Sequence, residues 1–555
     1  MNRKTKSLVV ASAIAGCLAG FSGTTLAKNT NSHSEYLSDF LDHYWSGNNL
    51  HPWECKHIRW ASPLRLPRCM QSENVMEHLY MFQAIADANN GTRASGLPGY
   101  EDSVTYIKEN LESMGYDVTL DKFDFNAFYE NADGVLSATA PSPVSYEWDV
   151  DFRYMSQTEA GDVTGPVVAV DLDLGPDNAS SSGCEIEDFA GFPAGAIALV
   201  QRGACTFQSK AENAAASGAV GTIIFNQGNS DDRKGLISGT LGANYAGGIP
   251  VFFATYDNGV AWSSTEGIEM NMVADVLREV RSVDNVIAET NKGADDNIIM
   301  LGAHLDSVFE GPGVQDNGSG SAALLEMASL IKKAKVKNKI RFAWWGAEES
   351  GLVGSTDYVN RLTDEELAKI KVYLNYDMIA SPNYFFGIYD GDGSDFELEG
   401  PPGSKATEEL FETYYDLRGQ VFEGSEISFR SDYAQFFLRD KAFGGLFTGA
   451  EVIKTEEQAE KYGGEAGIAF DPCYHQACDT IENISDRALE VNSDAVAFMV
   501  GVLANTTYMI DEEIAAAEQE PEPEAKTLSL NAASASAAAS AAAYDITHWG
   551  KYWIK

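Results

Sequence analysis

The sequence predicts an α/β protein with a mixed, mainly parallel sheet and helices on both of its faces, interrupted by a small β-rich insert. An apolar run that ends in His304, a helical pattern over 318–333 and a second apolar run over 340–345 are typical of strand, helix and strand. Such a crossover joins two parallel strands. A further short apolar run, 372–376, repeats the strand pattern, whereas 141–266 consists of short Val and Ile runs separated by Gly, Asp and Ser.

Length and charge limit the architecture and the partners. The 555 residues exceed one ordinary core, so we expect two domains with terminal extensions. The formal net charge of −43 excludes a nucleic-acid partner, because phosphates would be repelled. We interpret the excess of acids as a solvated surface; a preference for saline surroundings is the alternative. We expect a monomer.

The amino terminus has the pattern of a secretory signal. Residues 1–27 have a basic start, an apolar middle and small residues before Lys28, and they are too short and wrongly flanked for a membrane span. No other stretch reaches spanning length, so we expect a secreted or periplasmic protein that is not an integral membrane protein. The alternative is a lipoprotein anchored at Cys17, since residues 14–17 resemble a lipoprotein cleavage box.

The first part of the α/β domain is predicted over 72–140. Residues 76–89 have an amphipathic helical pattern, and a second helix carries its apolar residues on one face up to Met114. The run 118–125 is typical of a strand.

The other segments follow from changes in composition. The extension 28–71 is polar and aromatic and is either a pro-region or a strap over the main domain; its histidines His33, His43, His51 and His57 follow no ligand spacing. The insert covers 141–266, the second part of the α/β domain covers 267–510, and 511–555 is an acidic, Ala- and Ser-rich tail that we expect to be flexible.

Disulfides are predicted because an exported chain retains six cysteines after its leader is removed. Six cysteines allow fifteen pairings, and proximity in the chain favours one of them. The favoured pairs are Cys55 with Cys69, Cys184 with Cys205, and Cys473 with Cys478.

Potential metal ligands stand where the predicted strands end. Open parallel sheets bind ligands at the carboxyl ends of their strands. Mixed imidazole and carboxylate ligation suits zinc, and a bridging carboxylate can hold two ions about 3.5–4 Å apart. The candidates are two histidines, three carboxylates and one further glutamate: His304, His475, Asp316, Glu349, Asp377 and Glu348.

The insert resembles the protease-associated (PA) domain, a β-rich module found inside secreted and vacuolar peptidases. The stretch GCEIEDFAGFPAGAIALVQRGACTFQSKAENAAASGAVGTIIFNQG carries the resemblance. Its marks are Cys184, the strand 196–200, the turn 202–205, Phe207, the helix 210–218 and the strand 221–225.

The α/β domain resembles the secreted co-catalytic di-zinc aminopeptidases of metallopeptidase family 28. Six motifs stand in the order of that family: GAHLDS at 302–307, GVQDNGSGSAALLE at 313–326, RFAWWGAEESGLVGS at 341–355, YLNYDMI at 373–379, GGLFTGAE at 444–451 and AFDPCYHQACDT at 469–480. The resemblance covers about 76–509 and implies a zinc exopeptidase fold that acts on peptides with a free amino terminus.

The same resemblance assigns roles within the metal centre. It implies that Asp316 bridges two zinc ions, with His304 and Asp377 completing one site, and Glu349 and His475 the other. It also implies a cis peptide bond after Asp316.

The resemblance further implies the catalytic roles. Glu348 is the general base that takes a proton from water and returns it to the leaving amine. The hydroxyl of Tyr474 holds the oxyanion, and Asp306 orients the imidazole of His304.

Substrate contacts are expected around these groups. The amine of the substrate is expected to meet Glu348, Asp377 and the loop that begins at Arg430. The family often has a histidine where this chain has Tyr433. Met378 and Phe447 resemble walls of the first side-chain pocket, which would favour large hydrophobic residues such as leucine.

A structural calcium ion is a further expectation. Glu490 and Asp494 stand where some relatives hold that ion. Paired acids on a helix more often face solvent.

Three other functions stay open. A carboxypeptidase or dipeptidase of the same fold would need clustered arginines to bind a substrate carboxylate, and few basic residues stand near Arg430 in the sequence. A glutaminyl-cyclase-like transferase would keep one zinc, which the complete ligand set disfavours. A non-catalytic binding protein would have lost ligands, and this chain has them all.

Overall fold

The computed structural model describes Cys55, residues 58–242 and residues 244–519. The predicted signal 1–27, the alternative anchor at Cys17, the histidines at 33, 43, 51 and 57, and the tail from 520 onward lie outside the described residues. The chain divides into two compact units. The inserted unit is Phe125–Arg281, and the large unit comprises the described parts of Met1–Asp124 and Ser282–Pro521.

Two helices open the large unit, followed by a long strand whose residues after Asp124 belong to the inserted unit. Helix α1 is Ser72–Ala88, helix α2 is Pro98–Met114 and strand β1 is Asp117–Glu130. Proline at the first position suits the start of α2, and Gly115, with a φ of +92°, ends it in the left-handed conformation that favours glycine.

The inserted unit contains a sheet of eight strands and two helices. Its sheet has the order β3-β2-β9-β5-β6-β7-β8-β4, in which β5 to β8 are parallel. The strands are β2 Val135–Ala140, β3 Val144–Ser145, β4 Phe152–Tyr154, β5 Gly161–Ala169, β6 Ile197–Gln201, β7 Gly221–Phe225, β8 Val251–Ala254 and β9 Glu269–Ala274. The helices are α3 Phe207–Ala216 and α4 Tyr256–Ser264.

The central strands of the inserted unit are buried on both faces. Ile197 and Leu199 of β6 belong to one apolar cluster, whereas Ala198 and Val200 belong to another. Continuous apolar runs are typical of parallel strands covered on both sides. The disulfide Cys184–Cys205 lies in this unit, as predicted.

The remaining elements belong to the large unit, apart from the start of β10. The strands are β10 Val276–Glu289, β11 Ala294–His304, β12 Asn338–Trp345, β13 Ile370–Tyr376, β14 Gly387–Tyr389, β15 Glu423–Ser425 and β16 Phe443–Phe447. The helices are α5 Gly318–Ile331, α6 Val353–Arg361, α7 Asp364–Lys369, α8 Ser404–Arg418, α9 Ala434–Leu438, α10 Glu456–Tyr462, α11 Asp486–Leu503 and α12 Tyr508–Ala517. Short 3-10 turns are Pro67–Cys69 and Ile481–Asn483 in the large unit, and Ile186–Phe189 and Asp231–Arg233 in the inserted unit.

The sheet of the large unit is mixed and mainly parallel, which confirms the predicted fold class. Its order is β1-β10-β12-β11-β13-β16-β14-β15. Strands β12, β11, β13 and β16 are parallel, whereas β10 and β14 are antiparallel to their neighbours β12 and β16. Helix α5 is the predicted crossover between β11 and β12, and it packs against α1, α11 and β11.

The described end of the amino-terminal extension packs into the large unit. Ile58, Leu66 and Met70 are buried, and the turn Pro67–Cys69 contacts α11. The predicted disulfide Cys55–Cys69 is present. This part of the extension therefore contributes to the core.

Helix α12 crosses residue 511, where the predicted tail begins. The side chain of Glu513 accepts hydrogen bonds from the backbone N–H groups of Gly403 and Ala406, each at 2.7 Å. A carboxylate at the amino end of α8 is favourable because the helix dipole is positive there. This contact ties residues 508–517 to the large unit.

Among the described residues, no single helix has the length and apolar character of a membrane span. Helices α11 and α12 reach that length together, with a bend of 72° between them.

Candidate metal centre

The register of the parallel strands brings the predicted ligands to one edge of the sheet. His304 is the last residue of β11 and pairs with Trp345, the last residue of β12, so Glu348 and Glu349 follow directly beyond that edge. On the other side of β11, Gly302 pairs with Asn375, which places Asp377 level with His304.

The turn before α5 brings Asp316 to the same edge. The backbone N–H of Asp316 donates to Asp479 at 3.0 Å. The side chain of Asn317 caps α5 by accepting from Gly320 and donates to the carbonyl of Tyr376 at 2.9 Å. The peptide bond between Asp316 and Asn317 is cis, as the resemblance implied.

The two carboxylate oxygens of Asp316 face two different imidazoles. Oδ1 lies 3.2 Å from Nε2 of His304, and Oδ2 lies 3.2 Å from Nε2 of His475. Each imidazole has a second carboxylate: Asp377 Oδ1 is 3.3 Å from His304, and Glu349 Oε2 is 3.1 Å from His475. The structure thus brings all five predicted ligands together.

These separations suit zinc. Ligands of one tetrahedral zinc, each about 2.0–2.1 Å from the ion, lie about 3.3 Å apart. The buried oxygens Oε1 of Glu349 and Oδ1 of Asp377 have no hydrogen-bond partner among the described residues. A donor set of imidazole and carboxylate groups with unsatisfied oxygens fits a metal cation.

The carboxylates create a strongly negative field at this site. Burial lowers the pKa of His304, but Glu348 and Asp377 outweigh it and place that pKa well above its ordinary range. Burial also lowers the pKa of His475, but Glu349 outweighs it, and the pKa rises to about 10. The field that favours protons on both imidazoles also favours metal cations, which would displace those protons.

Glu348 lies beside the five ligands. Its Oε2 is 4.0 Å from Nε2 of His304, and its backbone N–H donates to Oδ1 of Asp306 at 3.3 Å. Burial raises its pKa well above the ordinary range, and the negative charge of Glu349 adds to this shift. A carboxylate that favours its protonated form is suited to accepting a proton.

Asp306 contacts the far side of the His304 ring. Its backbone carbonyl lies 3.1 Å from Nδ1 of His304, and its Oδ1 lies 3.5 Å from the same atom. Because both partners are acceptors, Nδ1 carries a proton, which leaves Nε2 as the nitrogen that a metal would bind once it displaced the second proton.

A short closed loop presents Tyr474 and His475. The predicted disulfide Cys473–Cys478 is present, and the Tyr474 ring stacks on the His475 ring with centroids 3.7 Å apart. The side-chain amide of Asn483 donates to both Asp471 and Asp479 at 2.9 Å, which ties the two ends of the loop together.

Several residues that support the site were not predicted from the sequence. Asp479 accepts the backbone N–H groups of Gln315 and Asp316 at 3.0 Å, and Arg93 contacts the loops that follow β11. Asp479 belongs to the motif at 469–480, and its place in that motif was a possible signal of a supporting role. The sequence had no signal for Arg93, because its role depends on contacts with residues more than 200 positions away in the chain.

The guanidinium of Arg430 has protein partners in the structure. Nη1 donates to Oε1 of Glu451 at 2.7 Å, and Nη2 donates to the hydroxyl of Tyr474 at 3.2 Å. The neighbouring Ser431 hydroxyl donates to Oδ2 of Asp377 at 2.5 Å. Tyr433 is buried, and its hydroxyl accepts from the backbone N–H of Phe429 within the same turn.

The two predicted pocket residues differ in exposure. Met378 is buried and follows Asp377 with a φ of +55°. Phe447 is half-buried and meets Phe385 edge to face, with ring centroids 6.1 Å apart.

The predicted calcium ligands have a different partner. Arg418 donates to Oε1 of Glu490 at 2.6 Å and also to Oδ2 of Asp494. The guanidinium offsets the charge of the two carboxylates, so an ion-pair cluster accounts for their proximity, and a calcium ion here stays a prediction.

Comparisons with known proteins give a consistent result. The profile described as Peptidase family M28 matches residues 285–500, and the profile described as PA domain matches residues 163–262. An aminopeptidase of Pseudomonas aeruginosa (strain UCBPP-PA14) is 61% identical over 477 residues, covering 86% of this chain and 89% of that protein. Leucine aminopeptidase 2 of Trichophyton tonsurans is 38% identical over 440 residues, covering 78% of this chain and 84% of that protein.

A solved structure shows the same fold. It is BSAP, a zinc aminopeptidase from Bacillus subtilis, with a TM-score of 0.54 at 24% identity. The match covers 78% of this chain and 94% of the other.

Proposed function

The chain belongs to peptidase family M28 with an inserted PA domain, and we propose that it is a di-zinc aminopeptidase that removes leucine-like residues from free amino termini. Its enzyme class, metallo-aminopeptidase, follows from the family and its relatives. The number of metal ions, the residue roles and the preferred residue belong to the proposal.

One observation carries the proposal of two metal ions. The two oxygens of Asp316 face His304 and His475 at 3.2 Å, and each imidazole has a further carboxylate within 3.3 Å. One imidazole with its further carboxylate forms a half-site. A carboxylate that bridges two half-sites is the arrangement of a co-catalytic metal pair. His304 and Asp377 would hold one zinc, and His475 and Glu349 the other.

Glu348 and Tyr474 would carry the chemistry beside the metals. Zinc bound here supplies Lewis acidity, which makes water more acidic and polarises the scissile carbonyl. Glu348 takes the proton of the attacking water and passes it to the leaving amine, since it lies beside the ligands without being one of the five. The Tyr474 hydroxyl donates to the oxygen on which negative charge develops.

The amino terminus of the substrate is recognised by acceptors. Glu348, Asp377 and the backbone of the loop at 430–432 supply negative charge and carbonyls for its ammonium group. Met378 and Phe447 line the pocket for a large apolar side chain, and leucine aminopeptidase 2 of Trichophyton tonsurans supports leucine as the preferred residue.

Export and domain order form the rest of the proposal. Residues 1–27 direct the chain out of the cytoplasm and 28–71 form the extension, whereas the predicted tail 511–555 begins with residues of α12, which belong to the large unit. The PA insert, predicted at 141–266 between catalytic parts at 72–140 and 267–510, also includes β2 and β9 outside those bounds, because both strands belong to the sheet of the inserted unit.

The test compares leucine para-nitroanilide with its N-acetylated form. We expect wild type to cleave only the free-amine substrate, because the acetyl group removes the ammonium charge. Glu348→Gln should lower kcat by about 10²–10⁴-fold, the usual contribution of general acid–base catalysis, while the zinc content stays at about two per chain. Glu310→Gln makes the same chemical change at an exposed residue and should behave as wild type.

The outcomes separate the parts of the proposal. Equal cleavage of the acetylated substrate would contradict recognition of the free amine. Zinc without cleavage of either substrate would contradict the aminopeptidase specificity, and a purified protein that binds no zinc would contradict the metal centre.

A further inference from the structure

An ion pair next to the metal centre contacts the hydroxyl of Tyr474. Arg430 uses one end of its guanidinium on the carboxylate of Glu451 at 2.7 Å and the other end on the Tyr474 oxygen at 3.2 Å. Arg430 precedes α9, Glu451 follows β16, and Tyr474 belongs to the loop closed by Cys473–Cys478. Three separate segments therefore meet at one phenol.

The contact fixes the direction in which the phenol can donate. A tyrosine hydroxyl has one hydrogen to donate and lone pairs to accept with, whereas a guanidinium can only donate. The Tyr474 oxygen is therefore the acceptor toward Arg430, and its own hydrogen points away from that residue. The hydrogen is left for a different acceptor.

The position of the phenol ring is also constrained. The Tyr474 ring stacks on the ring of His475, with centroids 3.7 Å apart and an interplanar angle of 27°. His475 in turn faces Asp316 and Glu349 through Nε2. Ring stacking places the phenol beside the metal ligands, and Arg430 sets the direction of its hydroxyl.

Glu451 is the anchor of Arg430. Its carboxylate accepts from Nη1, so the guanidinium is held at both ends and loses little further freedom when it contacts the phenol. The ion pair is close to neutral as a whole, which limits repulsion of a cationic amino terminus. A charge-assisted contact on the oxygen also polarises the O–H bond, because hydrogen bonds in a chain strengthen one another.

We propose that Arg430 and Glu451 are positioning residues that act through Tyr474 and aim its hydroxyl at the oxygen of the scissile carbonyl. This inference rests on the proposed function, in which Tyr474 stabilises the oxyanion. It differs from the sequence-based expectation that Arg430 contacts the substrate. Preorganised donors lower the barrier because they need no reorientation during the reaction.

A double-mutant cycle tests the inference. We expect Tyr474→Phe to lower kcat for leucine para-nitroanilide by about 10²–10³-fold, as removal of one oxyanion donor does elsewhere. Arg430→Met should lower kcat by about 10–100-fold with KM within about threefold, because the donor is misdirected while substrate binding is kept. In the Tyr474→Phe background, Arg430→Met should change kcat by less than about twofold, since there is no hydroxyl left to aim.

Further variants define the roles of the ion pair. Arg430→Lys should fall between wild type and Arg430→Met, because an ammonium group cannot replace both ends of a guanidinium. Glu451→Gln should lower kcat less than Arg430→Met. Arg439→Met removes an arginine that is bonded to Asp364 and should leave kcat unchanged. Zinc content and the midpoint of thermal unfolding show that each variant is folded.

Three results would overturn the inference. The first is an equal loss from Arg430→Met with and without the Tyr474 hydroxyl. The second is a rise in KM at constant kcat, which would make Arg430 a substrate contact. The third is an unchanged kcat in Tyr474→Phe; wild type would then still be an aminopeptidase, so the proposed activity would stand. Absence of cleavage by wild type would instead contradict the proposed function.

Discussion

Arg93 is a buried cation whose guanidinium donates to three backbone carbonyls. Its Nε donates to the carbonyl of Pro312 at 2.9 Å, Nη2 donates to Gly313 at 2.5 Å, and Nη1 donates to Leu305. These carbonyls belong to the segment between His304 and Asp316. Burial lowers the pKa of Arg93 to about 10, and Asp306 partly offsets the shift. Its charge therefore also balances the acids of the metal centre.

We predict that Arg93→Met weakens metal binding and folding together. Three carbonyls would lose a charged donor, and each such hydrogen bond contributes about 1.5–3 kcal/mol, so the free energy of unfolding should fall by about 3 kcal/mol or more. Zinc should be lost to a chelator at lower concentration than from wild type, as measured by competition with a zinc indicator. Arg361→Met, at a side chain that is 48% exposed, is the matched control and should change stability by about 1 kcal/mol or less. Equal chelator resistance in Arg93→Met and wild type would contradict the positioning role.

The sequence predicts ligands better than it predicts their supports. His304, Glu349 and Asp377 follow apolar runs, so the rule for strand ends could identify them. Arg93 and Asp479 act through contacts across long sequence separations, which no local pattern reveals. Sequence motifs predicted that Arg430 lies near the site, but its partners Glu451 and Tyr474 could be identified only from the fold.

At the scale of elements, the loop 471–479 is a rigid support for one half-site. The disulfide Cys473–Cys478 closes only five positions, and Asn483 ties Asp471 to Asp479. The loop therefore presents His475 and Tyr474 with little freedom. The half-site formed by His475 and Glu349 depends on this closure more than the half-site formed by His304 and Asp377.

We predict that opening this loop removes one metal ion selectively. The double variant Cys473→Ser, Cys478→Ser should lose about 2 kcal/mol of stability by the loop-entropy relation and keep about one zinc per chain. The control is Cys184→Ser with Cys205→Ser, whose separation of 21 predicts a larger loss of about 3 kcal/mol but no change in zinc content. Metal analysis after gel filtration measures the ratio. If both variants lost zinc in proportion to their loss of stability, a local role of the Cys473–Cys478 disulfide would be contradicted.

Lys210 of α3 is a buried cation in the inserted unit. Its Nζ donates to the carbonyl of Ser182 and lies 3.6 Å from Sγ of Cys184. Burial lowers its pKa to about 8, whereas an unfolded lysine has a pKa of about 10.4. Unfolding therefore takes up a proton when the pH lies between these two pKa values. Below pH 8 the buried charge destabilises the folded protein to its full extent, and this destabilisation decreases as the pH rises above 8.

We predict that Lys210→Met changes the pH dependence of stability. The free energy of unfolding of wild type, minus that of the variant, should be constant below pH 8 and rise above it by up to about 1.4 kcal/mol per pH unit. Urea unfolding at several pH values between 6.5 and about 9.5 measures the difference, a range chosen to span the lowered pKa. Lys234→Met removes an exposed lysine of the same unit and should show no such rise. A difference independent of pH would show that Lys210 is not buried as a cation.

The sequence predicts long elements and misses short ones. The strand 221–225 is confirmed without change, and the helices α1 and α5 are confirmed with ends that shift by a few residues. Strands β14 and β15 have three residues each, too few for a periodic signal. Helix α12 extends into the predicted tail because Glu513 binds the amino end of α8, a contact that composition cannot reveal.

At the scale of the whole molecule, the two units have separate cores. The apolar clusters around Leu199 and Phe253 contain residues of the inserted unit, and the cluster around Trp345 contains residues of the large unit. The five proposed ligands and Glu348 all belong to the large unit. The resemblances to family 28 and to the PA domain, which the sequence motifs suggested, are confirmed. Sequence motifs are sufficient to identify the two families because each motif is contiguous in the chain.

We predict that the large unit keeps its chemistry when the insert is removed. Strands β1 and β10 are neighbours in the sheet, and the backbone N–H of Asn131 donates to the carbonyl of Asp275 at 3.0 Å. Replacing residues 132–274 with an Asn-Gly turn therefore reconnects the chain at a place where its ends already meet. Zinc content should be unchanged, and turnover of leucine para-nitroanilide should stay within about threefold, since domains with their own cores fold independently.

The same deletion tests the hypothesis that the insert filters substrates by length. A filter would act on long peptides and leave small substrates alone, so kcat/KM for long peptides should rise relative to that for leucine para-nitroanilide. The measurement is the ratio of kcat/KM for long peptides to kcat/KM for leucine para-nitroanilide, compared between the full chain and the deletion variant. The peptides share an amino-terminal leucine. Unchanged kinetics on short and long substrates would exclude the filter, because the insert would then not control access. Loss of zinc in the deletion variant would show instead that the large unit depends on the insert for its fold.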